Sequence, residues 1–129
     1  MALHFNDTLR NIILNNMRSY IDGYCYVYSG TRPIGPDYPL ADGVLLVQFN
    51  ISFNGASGGK ITLYNAPIAS EVVATGTATW FRLIDGSYKM DGDISIEGGG
   101  GDAILDNVNL TDGEMVTLKK MDFSVPNPA

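Results

Sequence analysis

The stretch GTATWFRLIDGSYKMDGD, residues 76–93, decides the fold of this chain. It holds a strand-like run at 77–84, an Asp-Gly pair at 85–86, a second run at 88–90 and another Asp-Gly pair at 91–92. An Asp-Gly pair between β-prone runs is a strong hairpin signal, because both residues tolerate the positive φ that tight turns need. The stretch therefore predicts neighbouring antiparallel strands, with a turn at each pair.

Similar strand-like runs fill most of the chain after residue 23, and turn-forming segments separate them. The other predicted strands are 24–29, 44–53, 60–64, 94–96, 103–105 and 115–125, while 68–74 is either a strand or a short helix. With 15 glycines and 6 prolines among 129 residues, the chain has the turns of a sandwich or barrel and the size of one domain. We therefore expect a mainly β fold, a single antiparallel β-sandwich of about eight strands that is jelly-roll-like and spans 1–129.

Two of these strands carry further information. In the run 77–84, large apolar side chains occur on both faces, which is typical of a central strand covered on two sides. In the last strand, the apolar alternation that begins at Val116 changes phase before Met121. A bulge at residues 119–120 would return the apolar side chains to one face, so we predict a bulge there.

Residues 7–22 form the one helix that the sequence predicts. Asn6 or Asp7 can cap its first turn, and Gly23 can supply a left-handed stop. Spacings of three and four residues place these apolar side chains on one stripe: Leu9, Ile12, Ile13, Met17, Tyr20 and Ile21. We expect the stripe to pack against the sheet, with a subunit contact as the alternative, and the polar residues to face solvent. Leu14 lies near the edge of the stripe, where it can reach a partner.

Composition argues against several classes of partner. The net charge is −6, and only 8 lysines and arginines are present to contact phosphates, so we expect no nucleic-acid partner. The sequence lacks the roughly 20 apolar residues of a membrane span. Its first residues lack the basic start and apolar core of a secretory signal, which predicts synthesis in a cytoplasm and no membrane contact. Cys25, the single cysteine, excludes an internal disulfide, and we expect it to be a small buried side chain.

The sequence offers no complete catalytic or ligand-binding motif. The four glycines at 98–101 are followed by Asp102 and lack the lysine and the serine or threonine of a phosphate-binding loop. His4 is the single histidine and lies near the terminus, whereas a catalytic triad needs a buried, oriented imidazole. The acids beside glycine lack the spacing of a calcium loop and suit turn geometry. We therefore expect a non-enzymatic protein with no cofactor and no metal.

Three blocks of the sequence resemble a family of small proteins encoded in the structural modules of tailed bacteriophages. The blocks are LRNIILNNMRSYID (9–22) followed by YVYSGTRP (26–33), ATGTATWFRLIDGSYKMDGDI (74–94), and GGGGDAILDN (98–107) leading to a final strand. The resemblance implies a viral protein of the virion, made in the host cytoplasm and placed on the capsid exterior. It implies a head decoration (cement) protein with a small β-sandwich or jelly-roll fold, which binds the major capsid protein.

Exposed loops on a stable scaffold commonly carry binding. For such a protein we expect three contact regions, the N-terminal segment, the proline-rich loop and the glycine loop: Ala2, Leu3, His4 and Phe5, then Arg32, Pro33, Ile34 and Tyr38, then Gly99 and Gly100. Arg32 is the candidate for pairing with capsid carboxylates. We also expect a homo-oligomer, a dimer or a trimer. The main alternative is a tail or fibre module that binds a host receptor or a glycan through tyrosines, and a third possibility is an assembly protein outside the particle.

Overall fold

A computed structural model describes residues 5–40 and 42–124 of the chain and shows a mainly β protein with one helix. The predicted fold class is confirmed at this level. The elements are α1 (Asp7–Ile21), β1 (Gly23–Tyr28), β2 (Leu45–Ile51), β3 (Lys60–Thr62), β4 (Ile68–Glu71), β5 (Gly76–Thr77), β6 (Trp80–Asp85), β7 (Tyr88–Ser95), β8 (Ala103–Leu105), β9 (Asn109–Leu110) and β10 (Met115–Ser124). The ambiguous segment 68–74 thus contains a strand, and β9 was not predicted.

The main sheet curls until its two ends meet. Its strand order is β2-β1-β6-β7-β8-β10-β3, and β4 also pairs with β10. All of these pairs are antiparallel except β7 with β8, which is parallel. The residues just after β2 bond to the end of β3 and the residues that follow it. The Asn54 N–H donates to the Thr62 carbonyl (2.8 Å), and the Tyr64 N–H donates to the Ser52 carbonyl (2.7 Å). The curled sheet is thus closed at residues 52–54 and 62–64, and the two layers of a sandwich stay a prediction.

The side chains inside the curled sheet form the hydrophobic core. They come from alternate positions of the strands, as in Cys25 and Val27 of β1, which lie opposite Leu83 and Phe81 of β6. The Cys25 side chain is buried there as predicted. Helix α1 contacts β3, β6 and β7 and adds its two buried residues, Leu14 and Ile21, to the same core.

The hairpin predicted at residues 85–86 is present, and β6 is the central strand that the sequence indicated. β6 lies between β1 and β7, and its first four residues are buried on both faces. The second Asp-Gly pair is different, since it lies inside β7 and makes no turn. A Cβ atom at Gly92 would collide with the ring of Phe81. This glycine is therefore required by packing across the strands, which the turn interpretation missed.

The bulge predicted in the last strand is confirmed. The pairing of β10 with β8 shifts register between Leu118 and Lys120. Val116, Leu118 and Met121 are all buried as a result. Residue 125, the predicted end of this strand, lies outside the described residues.

The helix begins where the sequence predicted, but its end and its orientation are different. Asn6 is the N-cap, and its side chain accepts a hydrogen bond from the Leu9 N–H (3.0 Å). Asp22, in an extended conformation, ends the helix, and Gly23 is already the first residue of β1. Leu14 is fully buried, whereas four residues of the predicted inward stripe are exposed: Leu9, Ile12, Ile13 and Tyr20.

Hydrogen bonds from polar side chains explain this orientation. The segment 53–59 lies between β2 and β3, and α1 packs against β3. Asn11 and Asn15 accept hydrogen bonds from the N–H groups of Gly59 and Ala56 in this segment, both at 2.8 Å. On the same side, Arg18 donates to the carbonyl of Phe53 (2.8 Å). These backbone groups have no strand partner in the described residues. Left buried without a hydrogen bond, each would cost about 1–3 kcal/mol, and the helix side chains remove that cost. Part of the predicted solvent-facing side, Asn11, Asn15 and Arg18, therefore bonds the 53–59 segment instead.

Candidate functional site

The loop between β1 and β2, residues 29–44, is the predicted proline-rich contact loop, and it is anchored at both ends. The Thr79 hydroxyl donates to the carbonyl of Gly30 (2.6 Å). The side chain of Asp42 accepts from the Thr31 N–H (2.9 Å), which joins the two ends of the loop. A loop that is held in this way loses less conformational entropy when it binds a partner.

A buried ion pair lies on the outer face of the sheet near this loop. The guanidinium of Arg82 in β6 donates two hydrogen bonds to the Asp91 carboxylate in β7, at 2.7 and 3.0 Å. Its Cζ atom lies 5.2 Å from the centre of the Trp80 ring, which in turn stacks on Tyr28. The hydrogen bonds to Asp91 raise the pKa of Arg82, and the negative charge of Asp37 in the loop raises it by a smaller amount. The start of the loop also bonds this cluster, because the indole N–H of Trp80 donates to the Ser29 carbonyl (3.2 Å).

Arg32, the predicted partner of capsid carboxylates, pairs within the chain. Its guanidinium lies 3.2 Å from the carboxylate of Asp93 in β7. The backbone N–H of Asp93 in turn donates to the side chain of Asp102 (3.0 Å), which follows the glycine loop. The structure thus brings the bases of the proline-rich loop and the glycine loop together around Asp93. Both side chains of the Arg32 pair are largely exposed, so the pair is worth at most about 1 kcal/mol and can exchange for another partner.

A groove separates the proline-rich loop from the end of helix α1. Its aromatic wall consists of Tyr20 and Tyr88, whose ring centres lie 4.5 Å apart. The groove measures about 420 Å³, and its remaining lining residues are Met17, Ile21, Pro36, Asp37, Ser87, Lys89 and Met90. We call it the loop–helix groove. It offers apolar surface with one acidic and one basic residue, a composition that suits a protein side chain or a sugar ring.

The glycine loop borders an open, charged cleft. The Ser95 hydroxyl accepts from the Gly101 N–H (2.9 Å), which closes the loop at its base. Glu97 pairs with Lys119 of β10 at 3.1 Å. The cleft measures about 610 Å³ and is lined by three acidic and two basic side chains among glycines: Glu97, Asp102 and Asp122, with Lys119 and Lys120. Because the opposite charges pair with one another, this cleft has no single-sign field for an ionic ligand.

The predicted contact residues are mostly exposed where the structure describes them. Ile34 is 87% exposed and Tyr38 is 53% exposed, while Pro33 is half-buried. Gly99 and Gly100 are exposed in the glycine loop. Phe5 is half-buried just before the helix cap. Ala2, Leu3 and His4 lie outside the described residues.

The outer helix face consists of Leu9, Ile12, Ile13, Asn16 and Tyr20, and sequence reasoning assigned its apolar residues to the sheet, with a subunit contact only as the alternative. All five residues are exposed, and four of them are large and hydrophobic. The available signal was the spacing of Arg10, Asn11, Asn15 and Arg18, which forms a second stripe able to bond backbone groups. Asn11, Asn15 and Arg18 bond the 53–59 segment, so the part of the apolar stripe formed by Leu9, Ile12, Ile13 and Tyr20 is exposed.

Within residues 5–40 and 42–124, no three His, Cys, Asp or Glu side chains lie close enough to hold a metal ion. No helix in that part of the chain is both long and apolar enough to cross a membrane. Searches with the whole chain found no matching family model, curated protein or solved structure.

Proposed function

We propose that this chain is a non-enzymatic structural protein of a bacteriophage particle, a head decoration (cement) protein that binds and stabilises the shell of major capsid protein. The proposal starts from the resemblance of three sequence blocks to phage structural proteins. The observation that supports it most is the anchored proline-rich loop with its exposed Ile34 and Tyr38.

An anchored loop of this kind suits a protein partner. Aromatic and aliphatic side chains at the centre of an interface supply most of its binding energy, and Ile34 and Tyr38 are of these types. The exposed Arg32–Asp93 pair adjoins them at the edge, where charges contribute to orientation more than to affinity. The glycine loop lies beside this edge and can contact a second capsid subunit. Contact with several subunits at once would raise the overall affinity without a large single interface.

A tail or fibre module that binds a glycan is the second candidate, and the loop–helix groove favours it. The Tyr20 and Tyr88 rings are both about half exposed, and aromatic rings of this kind can pack against the apolar face of a sugar. Asp37 and Lys89 line the same groove and can bond sugar hydroxyls. In this case the protein would be present in few copies per particle.

Copy number tests the proposal. We expect quantitative mass spectrometry of purified particles to find this chain at a level comparable with the lattice of the major capsid protein. Particles produced without the chain should bind the purified protein in a pelleting assay. A few copies per particle, together with binding on a glycan array, would support the tail module instead. No copies in the particle would refute both.

A pair of variants tests the loop. Ile34→Lys places a charge in the proposed interface and should weaken binding to such particles at least about tenfold. Val73→Lys is the matched control, because Val73 is also exposed (58%) but lies after β4, outside the loop. Equal binding by both variants and the wild type would show that the proline-rich loop is not the contact.

A further inference from the structure

The outer helix face has the composition of an interface. Ile12 is 61% exposed and Leu9 is 44% exposed, and Ile13 and Tyr20 are exposed beside them. The Tyr20 ring contacts the exposed Tyr88 ring, which extends the apolar surface onto β7. A solvent-facing helix side normally carries charged and polar residues. This side carries mainly apolar ones, while Asn11, Asn15 and Arg18 bond the 53–59 segment.

The charges of α1 are turned away from this face. The helix has three charged residues, Asp7, Arg10 and Arg18. Arg10 pairs with Asp7 at 3.1 Å and reaches toward the Gly59 carbonyl, and Arg18 bonds the Phe53 carbonyl. The chain has a net charge of −6, so most contacts between two copies would bring acidic groups together. Contact through the outer helix face avoids this repulsion.

The area of the face also fits a second copy. The apolar surface amounts to roughly 450 Å², summed over the exposed parts of Leu9, Ile12, Ile13, Tyr20 and Tyr88. This area is within the range of the largest apolar patch on a typical monomer, and such patches often serve as binding sites. If all of this surface is covered, two copies bury up to about 900 Å² in total, which lies in the size range of weak, transient complexes.

We infer that two copies of this chain associate through their outer helix faces about a two-fold axis. In this arrangement the two α1 helices run antiparallel, so that their dipoles attract. Leu9 of each copy meets Tyr20 of the other, and Ile13 lies near the axis. The same surface patch serves both copies, as in the commonest symmetric dimers. This inference does not depend on the proposed place of the protein in a virion.

Sedimentation equilibrium of the full chain tests the inference. The wild type should show a monomer–dimer equilibrium with a dissociation constant below about 100 µM. Ile12→Lys should raise that constant about a hundredfold, because each dimer carries the change twice. Met115→Lys is the matched control, since Met115 is equally exposed (63%) on β10, and it should leave the constant unchanged. Circular dichroism should show the same fold for all three proteins.

Cross-linking supplies a second readout. Cys25 is fully buried, so a cysteine placed on the surface is the one that reacts. Ile13→Cys should give a covalent dimer with a short bismaleimide, whereas Met115→Cys should not. A wild type that is monomeric at about 100 µM, or a dimer that persists in Ile12→Lys, would overturn the inference. A monomeric protein whose Ile12→Lys variant loses binding to particles would assign the face to another protein instead.

Discussion

The buried Arg82–Asp91 pair and the exposed Arg32–Asp93 pair give a prediction with an internal control. Asp91 and Asp93 are both in β7, and each pairs with one arginine. The Arg82 and Asp91 side chains are only 7% and 6% exposed, against 43% and 63% for Arg32 and Asp93. The same substitution, aspartate to asparagine, therefore removes a charge from a buried site at Asp91 and from a solvent-exposed site at Asp93.

The expected magnitudes follow from this burial. In Asp91→Asn the Arg82 guanidinium keeps its charge and loses a carboxylate that accepts two hydrogen bonds. Breaking a buried pair in this way costs about 3–5 kcal/mol, and we expect the lower end because the amide oxygen can still accept one bond. Asp93→Asn should cost less than about 1 kcal/mol. For a domain of this size, the first change lowers the melting temperature by roughly 10 °C.

Urea denaturation of the two variants, followed by circular dichroism, measures both free energies of unfolding. The double variant Arg82→Met with Asp91→Leu removes both charges together. It should recover most of the lost stability, since apolar side chains of similar size often replace a buried pair at little cost. Equal effects of Asp91→Asn and Asp93→Asn, or a double variant less stable than Asp91→Asn, would refute this account of the pair.

Two further predictions concern the core. Gly92→Ala should lower the free energy of unfolding by about 1–3 kcal/mol in thermal or urea unfolding, because its Cβ displaces the buried Phe81 ring. Gly55→Ala should change it by less than about 0.5 kcal/mol, because the nearest atom to the new Cβ is the Asn15 Oδ1 at 3.8 Å, an ordinary contact distance. A small effect at Gly92 would mean that the ring moves freely. Burial raises the pKa of the Cys25 thiol above its ordinary value of 9.0, so the unfolded chain loses this proton above about pH 9 while the folded chain keeps it. The free energy of unfolding should then fall as the pH rises above 9, and this thiol contributes up to about 1.4 kcal/mol per pH unit to the fall. The fall should be less steep in Cys25→Ala. Equal slopes for the two proteins would contradict the assignment of this pH dependence to Cys25.

The parts of the fold that depend on local chemistry could be predicted from the sequence. The hairpin at residues 85–86 needs only a glycine that tolerates positive φ between two β-prone runs, and Gly86 has a φ of +61°. The bulge in β10 was visible as a change of phase in one strand. The closure between the segments after β2 and in β3, and the parallel pairing of β7 with β8, depend on contacts between distant segments. No short-range pattern specifies these contacts.

The helix shows where periodicity fails. The stripe with the most apolar residues was assigned to the core, because burial of apolar area is usually the largest favourable term. In the structure, Leu14 and Ile21 are the buried residues of the helix, and Met17 packs against the core beside them. The orientation then follows from Asn11, Asn15 and Arg18, which bond backbone groups of a loop that the sequence alone could not place beside them.

The candidate contact site was predicted in part. The exposure of the proline-rich loop follows from prolines that cannot donate to a sheet, and Ile34 and Tyr38 are indeed exposed. The pairing of Arg32 with Asp93 could not be foreseen, since it joins two segments far apart in the chain. The same is true of the loop–helix groove, whose aromatic wall combines Tyr20 with Tyr88.

The closure of the sheet affects how this protein behaves when it is crowded. Open sheet edges present rows of unpaired N–H and C=O groups, which template aggregation and strand exchange between molecules. Here the segments that follow β2 and form β3 satisfy each other through Asn54, Thr62 and their neighbours. The backbone groups at this junction are therefore already bonded within one molecule and are not free to pair with a strand of a second copy.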